Sequence, residues 1–501
     1  MKRLLPLLLL FALLGVPAAA FADKNQEATF QDDDQLIYTT SKAREKTLDT
    51  LKRLGVDRIR ATVLWRVIAP SPTAKTKPSP FDSSNPADYP PGVWNNYDQL
   101  VRGAKERGIA VNFNVSGPAP RWATKAAPRP DIQDTYEPDP KEFASFVAAV
   151  GRRYDGTYPG SDYEDEIPRV SYWSIWNEPN HSGWLTPTWQ KGSSGPFYPR
   201  SAALYRSLAQ GAYIGLGVSG HAKDTILIGE LAPTGNNSRD VKRFMKPLVF
   251  LRAMYCLNNH NKRLTGKAAM RLDCPKTGKE MVTNNSILFK ATGFAEHPYQ
   301  GLSAPNVKGA KDTVTMGTLH RLTHTLDVAQ RRYGQHRKLP LYLTEYGYQS
   351  TPEIAGVSPK KQAEFINQSE YIAYKNKRVK TLGQFLLVDG GKPIGLTFQT
   401  GLEFRKGKRK KPAYNAYRVP IWVRGSGPAK KYWGVLRPAN NGTRARAKLQ
   451  FRPDGGKWKT IKKVKSHGLR NIVTGKVTLS TAGSLRLVYK GGPSRTVKVS
   501  P

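Results

Sequence analysis

The chain predicts an α/β fold in which eight strand–helix units close into a (β/α)8 barrel, followed by a small all-β sandwich, and three observations carry that expectation. Apolar runs of strand length alternate with segments of helical period over roughly 400 residues, and buried parallel strands read as such continuous runs. No glycine-rich phosphate turn follows the first expected strand, where an open doubly wound sheet would usually carry one. Beyond about Val423 the helical period stops, and short alternating stretches separated by Gly, Asn, Pro and Ser take its place.

Taken in order, the first strand is expected in "QLIYTT", then the helix "SKAREKTLDTLKRLG" and the strand "VDRIRATVLW". The proline- and serine-rich "PSPTAKTKPSPFDSSNPADYPPG" reads as a loop. After it come helix "NNYDQLVRGAKERG", strand "IAVNFNVSG", helix "PKEFASFVAAVGRRY" and strand "RVSYWSIWNEPN". The helix "SAALYRSLAQGAYIGLG" leads to "TILIGELAPTG", and a cysteine-bearing helical excursion leads to "FKATGFAEHPY". Two more pairs, "TMGTLHRLTHTLDVAQRRYG" with "LPLYLTEYGYQS" and "KKQAEFINQSEYIAYKN" with "TLGQFLLVDG", complete eight strands. The basic run "RKGKRKKP" precedes a short closing helix, "AYNAYR". Stretches such as "YWGVLRP", "ARAKLQFRP", "WKTIKKVK", "KVTLS" and "SLRLVYK" then predict a sandwich of about seven strands or fewer. The expected division is residues 1–22, 23–422 and 423–501.

Residues 1–22 have Lys2 and Arg3, a short apolar run and an Ala20-Phe21-Ala22 site, the pattern of a cleaved secretory signal. No later run is long and apolar enough to span a bilayer, so an exported protein that does not cross the membrane is expected. In that setting Cys256 and Cys274, 18 positions apart with no His/Cys cluster beside them, are expected to form a disulfide. The net charge of +41 is uneven: residues 401–501 hold 26 Lys and Arg against Glu403 and Asp454. Such a module fits retention on an anionic glycan, a teichoic-type wall polymer or a membrane surface, and equally a merely solvated, highly charged domain. A nucleic-acid partner is not expected, because charge alone suggests one and no nucleic-acid motif accompanies it.

In a (β/α)8 barrel the chemistry sits at the C-terminal ends of the strands. Glu178, Glu230, Glu296 and Glu345 end the fourth, fifth, sixth and seventh expected strands. Two carboxyl groups facing each other across the mouth suit glycoside hydrolysis, one as proton donor and one as nucleophile or base, and their separation decides between retention and inversion. Glu230 and Glu296 are taken as lining or structural acids.

The stretch "WSIWNEPN", Trp173 to Asn180, together with "TEYG", Thr344 to Gly347, resembles the retaining glycoside hydrolases of clan A, especially family 5, family 39 and related β-glycosidases. The resemblance spans Gln35 to Arg418 by pattern and order. It implies that Glu178 is the acid/base and Glu345 the nucleophile. It also implies that Arg60 in "RIRATVLW" supports the nucleophile, that His297 and Tyr299 in "EHPY" line the sugar site, and that "PRWA" at Pro120 to Ala123 follows the third strand. Asn177 would donate to a sugar 2-hydroxyl. Arg60 and Tyr299 would favour ionised Glu345, and Glu178, near a carboxylate and aromatics, would have its pKa raised. Trp65, Trp122, Trp173 and Trp184 offer flat faces to sugar rings, and His181 lies beside Trp184 in the loop after Glu178. No metal or cofactor is needed. The expected substrate is a poly- or oligosaccharide; the competing reading is a carbohydrate-binding or wall-associated barrel without turnover.

Overall fold

In the computed structural model, which describes residues 23–160, 165–192, 195–391 and 397–501, eight parallel strands close into a barrel. They are β1 (Glu27–Gln31), β2 (Arg58–Leu64), β3 (Ala110–Ser116), β4 (Tyr172–Ile175), β5 (Thr225–Leu231), β6 (Gly293–Glu296), β7 (Leu341–Tyr346) and β8 (Val379–Phe385). Each pairs with the next, and β8 closes on β1 with Phe30 opposite Gln384. Closure removes every exposed strand edge and aims eight strand ends at one mouth.

The surrounding helices include α1 (Ser41–Leu54), α2 (Asn95–Glu106), α3 (Pro140–Arg153), α4 (Arg200–Val218), α5 (Pro247–Met254), α6 (Leu319–Arg332), α7 (Pro359–Lys375) and α8 (Pro412–Arg418). Their ends are written in the sequence. The Asp139 side chain accepts from the backbone N–H of Lys141 and Glu142 while Pro140 occupies the first turn of α3, and Gly55, at φ 75°, ends α1. Leu48, Leu51 and Leu54 are one buried face of α1, each worth about 1.5–3 kcal/mol of burial. Small residues bring α3 and α4 together: a Cβ on Gly211 or Gly215 would lie 2.5 or 2.3 Å from the carbonyl oxygens of Pro140 and Ala144.

The first strand is not where the sequence places it. "QLIYTT" gives way to a helical turn at Asp33–Leu36, and the strand is the more polar "EATFQ" at Glu27–Gln31. The cause is Asp32, whose buried carboxyl accepts from the backbone N–H groups of Gln35, Leu387 and Val388. That bends the chain out of the sheet and turns the apolar Leu36 inward. The expected secretory segment, residues 1–22, lies outside the described residues.

Cys256 and Cys274 are disulfide-bonded, closing the excursion between α5 and β6. Replacing both by alanine is expected to cost about 3 kcal/mol through the freed 18-residue loop. Denaturant unfolding of oxidised and variant protein measures this; equal midpoints and slopes would refute it.

After α8 the chain forms a three-stranded antiparallel sheet, β9 (Ile421–Arg424), β10 (Ala429–Val435) and β13 (Ile472–Thr478). It also forms a five-stranded sheet of β11 (Arg446–Pro453), β12 (Lys459–Lys465), β14 (Gly483–Tyr489), β15 (Gly492–Pro493) and β16 (Val497–Val499). The sandwich thus has eight described strands, two of them too short to read from sequence. Leu449, Phe451, Val473, Leu485 and Leu487 fill the space between the sheets. The outer face of the three-stranded sheet rests on the barrel: Trp433 packs against Tyr371 and Tyr374 of α7 at 5.6 and 5.4 Å. Arg437 pairs with Glu370, and Arg470 with Glu27 and Asp57 at the start of β1 and β2. The joint therefore involves the N-terminal ends of the strands, opposite the mouth. No helix among the described residues is long and apolar enough to cross a membrane.

Candidate active site

Arg60, buried on β2, is the centre from which the site is built. Its guanidinium donates to Asn177 Oδ1 at 2.8 Å, to Glu230 Oε2 at 2.9 Å, to Glu345 Oε2 at 3.4 Å and to Gln31 Oε1. Because Arg60 occupies the amide oxygen of Asn177, the Asn177 NH2 is the end left for a ligand. Glu230 Oε2 also accepts from Thr344 and from His297 Nε2, both at 2.7 Å. His297 Nδ1 donates to Glu178 Oε1 at 2.9 Å and lies 3.9 Å from Glu345 Oε2. Tyr299 donates its hydroxyl to Glu345 Oε1 at 2.7 Å.

Local backbone geometry aims these groups. Trp176, Glu178 and Glu230 all adopt left-handed φ, 63°, 38° and 49°, conformations that cost a side-chain-bearing residue about 1–3 kcal/mol. The Glu178 N–H donates to the Glu230 carbonyl at 2.9 Å, tying the two strand ends together. Gly117 leaves room for Trp176, whose ring would meet a Cβ there at 2.5 Å. Asn180 fastens the following loop by hydrogen bonds to the backbone of Ala232 and Met245.

Burial by itself would lower the His297 pKa, yet the charge of Glu345 and the hydrogen bonds to Glu178 and Glu230 raise it to about 10. The imidazole is therefore a cation with both nitrogens donating. Burial pushes Glu230 up, but Arg60 and His297 bring it down to about 2. For Glu178, burial again pushes up, and the hydrogen bond and charge of His297, with His181 and Arg60, hold the carboxyl below its ordinary value. This reverses the expectation of a raised pKa, which considered the neighbouring carboxylate and aromatics but not the cationic imidazole between the two acids. A proton is shared between Glu178 and His297, whose Nδ1 lies 2.9 Å from Glu178 Oε1. Glu296, buried with neither oxygen hydrogen-bonded among the described residues, is pushed far up by burial, the charge of His297 opposing this and Glu178 and Glu230 adding to it.

An open cleft of about 680 Å³ receives Asn177, Glu178, Tyr299 and Glu345, with Trp184 and His181 on its wall. It continues past His181 and Phe244 into a second depression of about 1110 Å³. Asp33 and Asp34 also line it, burial raising Asp33 to about 6. No Lys or Arg is among the described residues that line the first cleft. Glu178, His297 and Glu345 place ligand atoms within 4.8 Å of one another, a spacing open to a small cation. With both imidazole nitrogens donating, His297 has no lone pair to offer one.

Trp65 is a correction. It is fully buried, stacked on Phe146 at 5.6 Å and against Phe143 at 5.5 Å, and reaches no cleft. Trp173 is likewise buried, and Trp122 belongs to the cluster around Trp65 and Phe81. Gln31 and Thr344 were not singled out from sequence. Gln31 was hidden by the misplaced first strand, whereas Thr344 stood beside Glu345 with nothing to mark it. Glu230 was noted only as a lining or structural acid, although it accepts from Arg60, His297 and Thr344 together.

No protein-family model matches the chain, and no curated protein matches it. Among solved structures it is similar to a family 39 glycoside hydrolase from the gut symbiont Bacteroides cellulosilyticus, at 14% identity over 94% of this chain and 82% of that one, with a TM-score of 0.48. It is also similar to a monomeric β-xylosidase from Caulobacter crescentus, at 13% identity over 92% and 96% of the two chains, with a TM-score of 0.46.

Proposed function

We propose that the protein is an exported retaining β-glycosidase acting on a neutral poly- or oligosaccharide. The observation that carries this reading is the carboxylate pair: an oxygen of Glu178 and one of Glu345 lie within 4.8 Å across the barrel mouth. An approach this close favours the short carboxyl separation of about 5–5.5 Å used in double displacement over the roughly 6.5–9.5 Å gap that admits water for inversion. In the first step a Glu345 oxygen attacks the anomeric carbon as the bond to the leaving oxygen breaks, and Glu178, supplied with a proton by His297, protonates that oxygen. In the second, Glu178 takes a proton from water, whose oxygen displaces Glu345. Tyr299 and Arg60 hold Glu345 in line, and the Asn177 amide donates to the 2-hydroxyl.

Asp33, Asp34, Glu178 and Glu345, with no described Lys or Arg lining the first cleft, support a neutral sugar at that position, since a uronate there would meet like charges in a partly dry site; Arg129, Lys242 and Arg243 lie only in the second depression. The disulfide supports an oxidising, extracellular compartment. The test is hydrolysis of aryl β-glucosides, β-xylosides and β-mannosides beside an aryl β-glucuronide, with the product anomer followed by NMR. Turnover of a neutral glycoside with the β-anomer formed first is expected. Inversion, or preference for the glucuronide, would overturn the mechanism or the substrate class respectively.

His297 gives this reading a pH signature. While the imidazole holds its proton to about pH 10, the couple keeps an acid available. In His297→Asn, Glu178 depends on its own carboxyl, and the protonated fraction falls as pH rises past the carboxylate range. The alkaline limb of kcat/KM is expected to move down by at least about one pH unit. A lower kcat with the limb unmoved would refute the proton couple.

A further inference from the structure

The outward face of the five-stranded sheet carries a pattern the fold does not need. Along β11 the alternation is strict: Ala447, Leu449 and Phe451 point into the sandwich, and Arg446, Lys448 and Arg452 point out. The register sets Arg446 opposite Lys465 and Lys448 opposite Lys463. Arg486 stands opposite Gln450, and Lys498 opposite Ser484, itself across from Arg452. Seven cations thus share one face, and among the described residues none of them is in an ion pair with a carboxylate. Like charges directly opposite on a sheet are destabilising, and a merely soluble surface mixes signs. Between Glu403 and the C-terminus Asp454 is the single acid. Two of the cations are held in place: the guanidinium groups of Arg452 and Arg486 stack on Trp458 at 5.0 and 4.0 Å, and Arg486 also donates to Gln450. The opposite side of the sandwich is taken up by the barrel, so this is the face turned to solvent.

We propose that this sheet face docks an acidic polysaccharide, one bearing carboxylates on successive sugars. Where they are neighbours, as Arg446 and Lys448 are along β11 and Arg446–Lys465 and Lys448–Lys463 are across it, the cations stand about 7 Å apart along a strand and about 5 Å across strands, and with Arg452, Arg486 and Lys498 they spread charge over a flat face suited to a chain of repeated anions lying on it. A nucleic acid is the poorer fit. The face has one aromatic ring where single-strand binders stack several, and no projecting helix or ribbon to enter a groove. Docking there leaves the barrel mouth, at the other end of the strands, open to a different and neutral chain.

The test is binding of the full chain to polygalacturonate across a salt series, read without turnover and therefore independent of the barrel's activity. Fully methyl-esterified polygalacturonate is the uncharged control and duplex DNA the rival polyanion. Replacing Arg446, Lys448, Lys463 and Lys465 together by glutamine is expected to weaken polygalacturonate binding roughly tenfold or more and to flatten its salt dependence. Replacing Lys406, Lys408, Arg409 and Lys410 by glutamine removes the same charge elsewhere, and binding is expected to stay within about threefold, the residue of long-range attraction. Equal losses in both variants, equal binding of the esterified polymer, or tighter binding of DNA at matched salt would each overturn the proposal.

Discussion

Glu345→Ala is expected to lower kcat on an activated aryl β-glycoside at least about a thousandfold, close to 4 kcal/mol of barrier, because on the proposed mechanism it removes the atom that bonds to the sugar. Tyr299 and Arg60 would remain around the gap, and their positions favour a small anion in it. Added azide should therefore restore turnover, attacking the anomeric carbon once and giving the α-glycosyl azide. Glu178→Ala should behave differently. With a good leaving group its first step survives, the covalent intermediate accumulates, and azide releases it as the β-anomer. The anomer recovered from each variant, read by NMR, assigns the two roles. The same anomer from both, or rescue of neither in folded protein, would refute the assignment.

Arg60→Met is expected to cost about 1.5–3 kcal/mol of stability, besides activity, because the fully buried Glu230 carboxylate loses one of its two cationic partners and keeps only His297 and Thr344. Glu345 would lose one of its two hydrogen-bond donors, and Asn177 the contact that orients its amide. Adding Glu230→Gln to Arg60→Met removes the under-compensated charge and should recover part of the stability while leaving activity low. Chemical denaturation of the single and double variants measures both effects. A single variant as stable as wild type, or a double variant less stable than the single, would show that the Arg60–Glu230 pair does not carry this part of the barrel.

Much of this architecture was legible because parallel strands bury both faces and therefore advertise themselves as unbroken apolar runs. Glu178 and Glu345 could be placed at the fourth and seventh strand ends by counting such runs. The count stayed correct although the first strand was misplaced, since "LIY" and "EATFQ" precede the same helix. What failed shares one cause, interactions across the barrel that no local window contains. Asp32 ends β1 by accepting from N–H groups some 355 residues away. Trp65 reads in the sequence as a face for a sugar ring, but Phe143 and Phe146 cover it. The lowered pKa of Glu178 depends on His297, 119 positions on. The two sheets of the sandwich were readable as alternation, whereas the ladder of like charges depends on register, which the sequence leaves open until β11 and β12 are paired.

The passage from barrel to sandwich has a consequence for how the molecule works in a crowd. Only Val419 and Pro420 separate α8 from β9, and Val419 and Ile421 are wholly buried. With Trp433 wedged against α7, the two units have no hinge between them. Accessory modules on flexible tethers let an enzyme graze a disc around its anchor, but this joint fixes the angle of attack. Molecules docked through the five-stranded sheet on a common layer of polymer would all hold their mouths at one fixed angle to that layer. Their cuts would then be spaced by the density of the layer and not by the length of a leash.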